Sequence, residues 1–322
     1  MEKLICGVDL GGTKLAAALF KQDGSRIDMV ITHDHTDLNP DEIVLRIAAL
    51  VRELLSENNL NLDDLLGVGV GLAGHILHKE GMIITSSNFK NTIHHFPLVG
   101  KLEKELGGVK VFLDNDANAQ ALGEFKYGAG RDGDYDSLVY MTISTGIGAG
   151  LVLNRKMYRG QSGTAGEIGH TIIDIDADSK CTCGNYGCLM ALSSGLFFPE
   201  LYKRKLEKGI FSTLGVTIET AGQVDGHLVN RGFKEGDPVS IAIVEDSADM
   251  VGFGIFNIFQ LLNPDVVVLG GGLMNFGDSF TNRIREKFCS LTNEMMCEEM
   301  GILVSEMGTD AGLLGAAALV LE

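Results

Sequence analysis

Twice along this chain an apolar run breaks at a glycine-bearing turn and then resumes. The first copy is LICGVDLGGTKLAAALF (4–20) and the second is LVYMTISTGIGAGLVLN (138–154). Overlaid at an offset of 134, they pair Leu4 with Leu138, Gly12 with Gly146 and Leu19 with Leu153. Each reads as strand, hairpin turn, strand. Two copies suggest two similar halves facing each other across a cleft, although two ordinary hairpins would give the same pattern. Leu4–Val8, Leu15–Phe20, Leu66–Gly71, Val109–Leu113, Leu138–Ile143 and Val266–Leu269 read as strands, and Asp41–Ser56 and Pro238–Leu262 as helices. The second helix is well punctuated, with Asp237 as N-cap, Pro238 at the first helical position and Asn263-Pro264 as the stop. Strands alternating with helices predict α/β architecture, and 322 residues fit two domains of ordinary size.

The turns themselves carry chemistry. Asp9-Leu10-Gly11-Gly12-Thr13-Lys14 places a carboxylate at the end of a buried strand, then a turn without side-chain bulk, then a hydroxyl. Glycines let backbone N–H groups approach an anion closely, and the hydroxyl adds a donor. Ser144-Thr145-Gly146-Ile147-Gly148 repeats that chemistry. Val266–Gly272 is an apolar strand opening onto three glycines, and Asp310–Gly315 enters the last helix. Neither the Walker spacing nor G-x-G-x-x-G is present. Any one of these turns alone reads as a tight hairpin or cap, whereas four in one chain favour a nucleotide site. The charge balance bears on how such a site must work. The chain has 26 Lys+Arg against 43 Asp+Glu, a formal charge of −17. With no basic excess, nucleic acid and anionic membranes are poor partners, and a phosphate ligand must rely on backbone amides and a metal ion.

Two further constellations stand out. Asp114-Asn115-Asp116 follows the strand at Val109–Leu113 and opens a helix. A carboxylate there can face a cleft and take a proton from a hydroxyl, but Asp and Asn also make plain N-caps, and the spacing does not say which Asp would be the base. His170, Cys181, Cys183 and Cys188 follow the order H-x10-C-x-C-x4-C, one imidazole and three thiolates. That set suits a closed, structural zinc site, while a disulfide between C-x-C neighbours would be strained. Cys6, Cys289 and Cys297 read as small core residues. Glu167 and His170, three apart, would share one face of a helical turn. No run of residues is long and apolar enough for a secretory or membrane-spanning segment, which points to a cytoplasmic protein.

On these residues the chain resembles the ROK family of bacterial sugar kinases, within the actin/hexokinase/Hsp70 ATPase superfamily. The Cys181-Thr-Cys-Gly-Asn-Tyr-Gly-Cys188 segment, which matches the family's C-x-C-G-x-x-G-C, is the most specific point of likeness. The resemblance implies two actin-like (ribonuclease H-like) α/β lobes with mixed sheets flanked by helices and an active-site cleft between them. It implies a smaller domain over 1–115, to which a C-terminal helix at 312–322 returns, and a larger one over 116–311 carrying the zinc loop. By the same likeness Asp9, Gly11, Gly12, Thr13 and Lys14 form the first phosphate loop, with Asp9 helping to place Mg2+ through water. Thr145 and Gly146 form the second, and Gly271, Gly272 and Gly312 belong to the parts that enclose the adenosine of ATP.

Asp116 is picked out as the base, Asn115 holds a sugar hydroxyl, and Gly74, Asn88 and Glu167 are further sugar contacts. His170 both contacts the sugar and binds Zn2+. The implied activity is ATP-dependent phosphorylation of a hexose, glucose at O6 first, with N-acetylmannosamine, fructose, allose or N-acetylglucosamine as alternatives, in a homodimer. One position departs from the pattern. The family usually reads G-C-L-E after the last zinc cysteine, and here Met190 follows Gly187-Cys188-Leu189. A thioether is a weak acceptor, so a sugar hydroxyl loses a partner unless His75 or His78 replaces it, or the substrate or activity differs. Repressor members of the family carry a helix-turn-helix before the first strand. The strand here begins at Leu4 and the charge is −17, which argues against DNA binding and leaves a non-catalytic sugar sensor as the rival reading.

Overall fold

A computed structural model describes residues 2–86 and 89–322. In chain order the first strands are β1 (Leu4–Leu10), β2 (Leu15–Phe20) and β3 (Arg26–Thr32), followed by helix α1 (Pro40–Glu57). Next come β4 (Leu65–Leu72), β5 (His75–Leu77), β6 (Met82–Ser86), β7 (Ile93–Phe96), α2 (Leu98–Glu105), β8 (Val111–Asn115) and α3 (Asp116–Lys126). Strands β9 (Leu138–Ile143), β10 (Ile147–Leu153) and β11 (Lys156–Met157) precede α4 (Leu189–Ser193), α5 (Phe198–Glu207), α6 (Gly226–Glu235) and α7 (Pro238–Leu262). The chain ends with β12 (Val266–Gly270), α8 (Asp278–Leu291), α9 (Glu294–Glu299), β13 (Gly301–Val304) and α10 (Ala311–Ala318). One sheet has the order β3-β2-β1-β4-β8, a second β11-β10-β9-β12-β13, and a small third sheet is β5-β6-β7.

The chain divides into two compact units: Met1–Tyr140 with Gly150–Ala165 and Ser305–Glu322, and Met141–Ala149 with Gly166–Val304. The boundary therefore differs from the expected 115/116, and the N-terminal unit is the larger of the two. The reason is packing. Helix α3 lies against α10, so residues beyond 115 stay with the first unit.

In that unit β1 pairs antiparallel with β2 and parallel with β4, and β4 pairs parallel with β8. One face of the sheet buries Val8, Val68 and Val70 with Ile47, Val51 and Leu54 of α1. The other buries Ile5, Ala16 and Phe20 with Leu313 and Ala317 of α10. The helix comes close because the strands lack side chains beneath it. A Cβ on Gly69 would lie 1.7 Å from the Ala316 carbonyl oxygen, and one on Gly7 2.0 Å from that of Leu313. Both would force the helix off the sheet.

The second unit is organised on α7. Asp237 caps it, with Oδ2 accepting from the Ser240 amide at 2.9 Å, and Asn263 ends it in the left-handed region at φ 43°. Ile243, Val251 and Ile255 are buried along it. One sequence expectation is corrected here. Cys289 and Cys297 are not separate core residues: the chain leaving α8 turns back into α9, bringing their Cα atoms to 5.0 Å, and a disulfide joins them. Cys6 is buried in the first unit, and burial pushes its thiol up to about 12.

Candidate functional site

In the first unit the β1–β2 hairpin turns at Gly11–Lys14, closed by the Gly11 amide on the Lys14 carbonyl at 2.9 Å. His35 and His33 brace it from the segment after β3, their ring nitrogens 2.7 Å from the carbonyls of Gly11 and Thr13. Asp9, at the end of β1, is paired with Lys14 at 3.2 Å. Gly312, in the first turn of α10, faces the same carboxylate. A Cβ there would lie 2.9 Å from the Asp9 carboxyl carbon. One carboxylate beside a hydroxyl and an open backbone is a fitting donor set for Mg2+, which keeps most of its water and takes one or two carboxylates besides phosphate oxygens.

The junction from β8 into α3 separates the two aspartates that spacing left equivalent. Asp114 is 2% exposed and fully engaged: Oδ1 accepts from the Asn115 amide (2.7 Å) and Asn118 Nδ2 (2.9 Å), and Oδ2 from Arg159 Nε (2.6 Å). Asn115 caps α3, its Oδ1 accepting from the Ala117 amide at 2.9 Å, and its Nδ2 donates to the Gly74 carbonyl at 3.0 Å. Asp116 opens the helix and is partly exposed. Gly74, Asn115 and Asp116 are thus neighbours in this unit, while Asn88 lies outside the described residues. His75 and His78 hold backbone, Nε2 of the first 2.7 Å from the Ser162 carbonyl and Nδ1 of the second 3.0 Å from that of Leu113.

In the second unit Glu167, the N-cap residue of a short 3-10 turn (Ile168–His170), brings its Oε2 to 3.9 Å from His170 Nε2. The opposite ring nitrogen, Nδ1, is 3.4 Å from Cys181 Sγ. Cys183 and Cys188 bring their sulfurs to 3.7 Å, and the four ligand atoms lie within 4.8 Å of one another. Tetrahedral zinc with Zn–S ≈ 2.3 Å and Zn–N ≈ 2.0 Å places sulfurs about 3.8 Å apart and S···N about 3.5 Å. The donor set therefore fits zinc in number, chemistry and spacing. Burial pushes the Cys188 thiol up to about 12, and the Asn185 backbone N–H holds Cys183 below its ordinary value. Met190, 8% exposed in the first turn of α4, packs with Cys181, Cys188 and Phe197. Its sulfur lies 3.5 Å from where a Cβ on Gly146 would stand.

That second glycine turn borders a cavity of about 440 Å³, inside the ~300–1,000 Å³ range of small-molecule sites. Ser144 and Thr145 form one wall and Gly272, Asn275 and Phe276 another. Asp225, Gly226 and His227 at the start of α6 form a third. Of the second phosphate-loop and adenosine-side candidates, Thr145 and Gly272 line this cavity together. Gly146 and Gly271 adjoin the wall without lining it, Gly271 lying so close to Ile143 that a Cβ would fall 2.5 Å from its carbonyl oxygen. The α6 residues were missed. Asp225-Gly226 is a helix-start signal, with Asp225 Oδ1 capping the Leu228 amide at 2.8 Å, but nothing in it marks a ligand. Among the described residues no helix is long and apolar enough to cross a membrane.

The fold is that of the actin-like α/β kinases. It superposes with a TM-score of 0.78 on a crystal structure of a ROK family glucokinase from Streptomyces griseus in complex with glucose and AMPPNP, 29% identical, covering 98% of each chain. Residues 5–322 match the ROK family, and the chain belongs to it. A glucokinase of Thermotoga maritima is 31% identical over 100% of this chain and 99% of its own. A putative xylose repressor of a Caldicellulosiruptor species is 30% identical over 99% of this chain and 78% of its own.

Proposed function

We propose that the protein is an ATP-dependent hexose kinase with glucose as its first-choice acceptor at O6. The observation that carries this reading is the division of labour at the β8–α3 junction. Asp114 is buried and saturated with donors, so Asp116 is the carboxylate left partly exposed for a substrate hydroxyl. Asp116 orients O6 and takes its proton as O6 attacks the γ-phosphorus, a role in which placement matters more than base strength. Asn115, fixed as the helix cap and by Gly74, offers a sugar contact from a rigid position. Glu167 accepts from sugar hydroxyls beside His170, whose other nitrogen would bind the zinc that clips this turn in place. Bound Mg-ATP supplies the phosphoryl group and neutralises its charge. Asp9, Gly11, Gly12, Thr13 and Lys14 would hold its phosphates and metal, and the cavity lined by Thr145 and Gly272 its nucleoside. The glucokinase relatives support the reading.

The competing reading is a non-catalytic sugar sensor. It draws on the repressor relative and on Met190, a buried thioether where the family places a sugar-binding Glu. ADP release over a panel of hexoses and N-acetylhexosamines, with Asp116→Asn as control, separates the two. The kinase reading expects turnover on at least one sugar and a loss of about 10²-fold or more in kcat in the control. No sugar exceeding that control would leave the sensor. Met190→Glu in the same panel is expected to reorder the sugars toward those with a full set of hydroxyls.

A further inference from the structure

We propose that Arg159 is a positioning residue for phosphoryl transfer, clamping Asp114 so that the two residues after it, Asn115 and Asp116, are held in register; the proposal rests on the kinase reading above. Arg159 lies in the loop that follows β11 and is 15% exposed in its side chain. Its guanidinium is held on two edges. Nε donates to Asp114 Oδ2 at 2.6 Å, while the two terminal nitrogens form a fork onto the Glu322 carboxylate, one at 2.8 Å. The planar fork fixes direction as well as charge, which an ammonium would not do.

An ion pair this deeply buried costs desolvation roughly equal to its attraction, so stability alone does not account for it. What it does give is geometry. With Oδ2 fixed by Arg159, Asp114 Oδ1 meets both the Asn115 amide and Asn118 Nδ2, tying the end of β8 to the first turn of α3. Asn115 is then free to cap the Ala117 amide and hold Gly74. Asp116 sits between these fixed points, its Oδ1 3.0 Å from the Ala117 amide. His78 closes the remaining side of the Asp114 carboxylate at 3.9 Å. Loosening the guanidinium would let the whole corner rotate, and a misplacement near 1 Å is worth about 10²-fold in rate.

The test compares Arg159→Gln, Arg159→Lys, Glu322→Gln and the double variant Asp114→Asn/Arg159→Gln. Three readouts are taken: kcat, KM for ATP, and amide hydrogen exchange over residues 114–118. Arg159→Gln is expected to lower kcat about 10²-fold, with KM for ATP within about twofold and faster exchange in that segment. Arg159→Lys should recover part of kcat, and Glu322→Gln should lose less than Arg159→Gln. The double variant removes the unpaired buried carboxylate, so its melting temperature should return toward wild type while kcat stays low. A double variant with wild-type kcat would show that Arg159 only neutralises Asp114, and would overturn the proposal. So would unchanged kcat in Arg159→Gln. If the wild type phosphorylates no sugar, the kinase reading falls, and the clamp is judged by exchange alone. Faster exchange at 114–118 in the folded double variant supports it, and unchanged exchange overturns it.

Discussion

Asp237 offers a quantitative test of how the wall of the cavity is held. It is buried, and five donors converge on it. The Thr213 amide (2.6 Å) and hydroxyl (3.2 Å) reach Oδ1, while the Ser240 amide (2.9 Å) and hydroxyl (2.8 Å) and the Tyr202 hydroxyl (2.9 Å) reach Oδ2. The carboxylate thereby ties α5, the chain at Thr213 and the start of α7, directly after α6, which lines the cavity. Burial pushes its pKa up, but the donors outweigh it, led by the Ser240 amide, and lower it from 3.8 to about 2. A difference of nearly two pKa units is worth about 2.5 kcal/mol in favour of the folded state. Because the folded value is the lower one, that contribution is complete above the unfolded pKa of 3.8 and is lost as the pH falls through 2. Roughly half should already be gone at pH ~3. Asp237→Asn removes the titration and sets one amide N–H against donors, a penalty that does not vary with pH. Urea unfolding of both proteins at pH 6 and pH 3 should therefore give a stability gap about 1 kcal/mol larger at pH 6. A gap of equal size at the two pH values would refute the claim that the ionised carboxylate organises this corner.

Two further outcomes follow from the site. Freshly purified protein should contain about one zinc per chain, and Cys183→Ser should lower that content, speed proteolysis within 170–188 and raise KM for sugar more than KM for ATP. Metal-free protein with an intact loop and unchanged sugar KM would contradict the structural role given to the cluster. Gly312→Ala puts a methyl 2.9 Å from the Asp9 carboxyl carbon. Its expected result is Mg-ADP binding weakened by about tenfold or more in titration calorimetry (≳ 1.4 kcal/mol), with a melting temperature close to that of wild type. Unaltered binding would mean that Asp9 and Gly312 do not border the metal.

What could be read from the sequence was whatever chemistry the chain keeps local. The residues of the candidate zinc site span 170–188, and their identities and spacing already mark the set as one suited to zinc. Helix α7 announces itself through Asp237, Pro238 and Asn263, each acting on its own backbone. The difference in burial and bonding between Asp114 and Asp116 was not local. It turns on Arg159, 45 residues away, whose guanidinium takes one carboxylate out of play. The Cys289–Cys297 bridge depended likewise on a reversal between two helices that no spacing rule fixes. Glycine is the most instructive case. The chain has 42 of them, and from the sequence pattern only those in the turns were given a role. Gly11 and Gly146 do stand at hairpin turns, and Gly312 leaves room at the Asp9 carboxylate. Gly7 and Gly69 stand instead inside strands and exist to let α10 lie directly on the sheet. That helix in turn packs against α3, which begins with Asp116. Strand glycines that lie under α10 rather than in a turn therefore help to set where the candidate base sits. A substitution at Gly69 should damage the site through the C-terminal helix, a route visible only once β1, β4 and α10 are seen to touch.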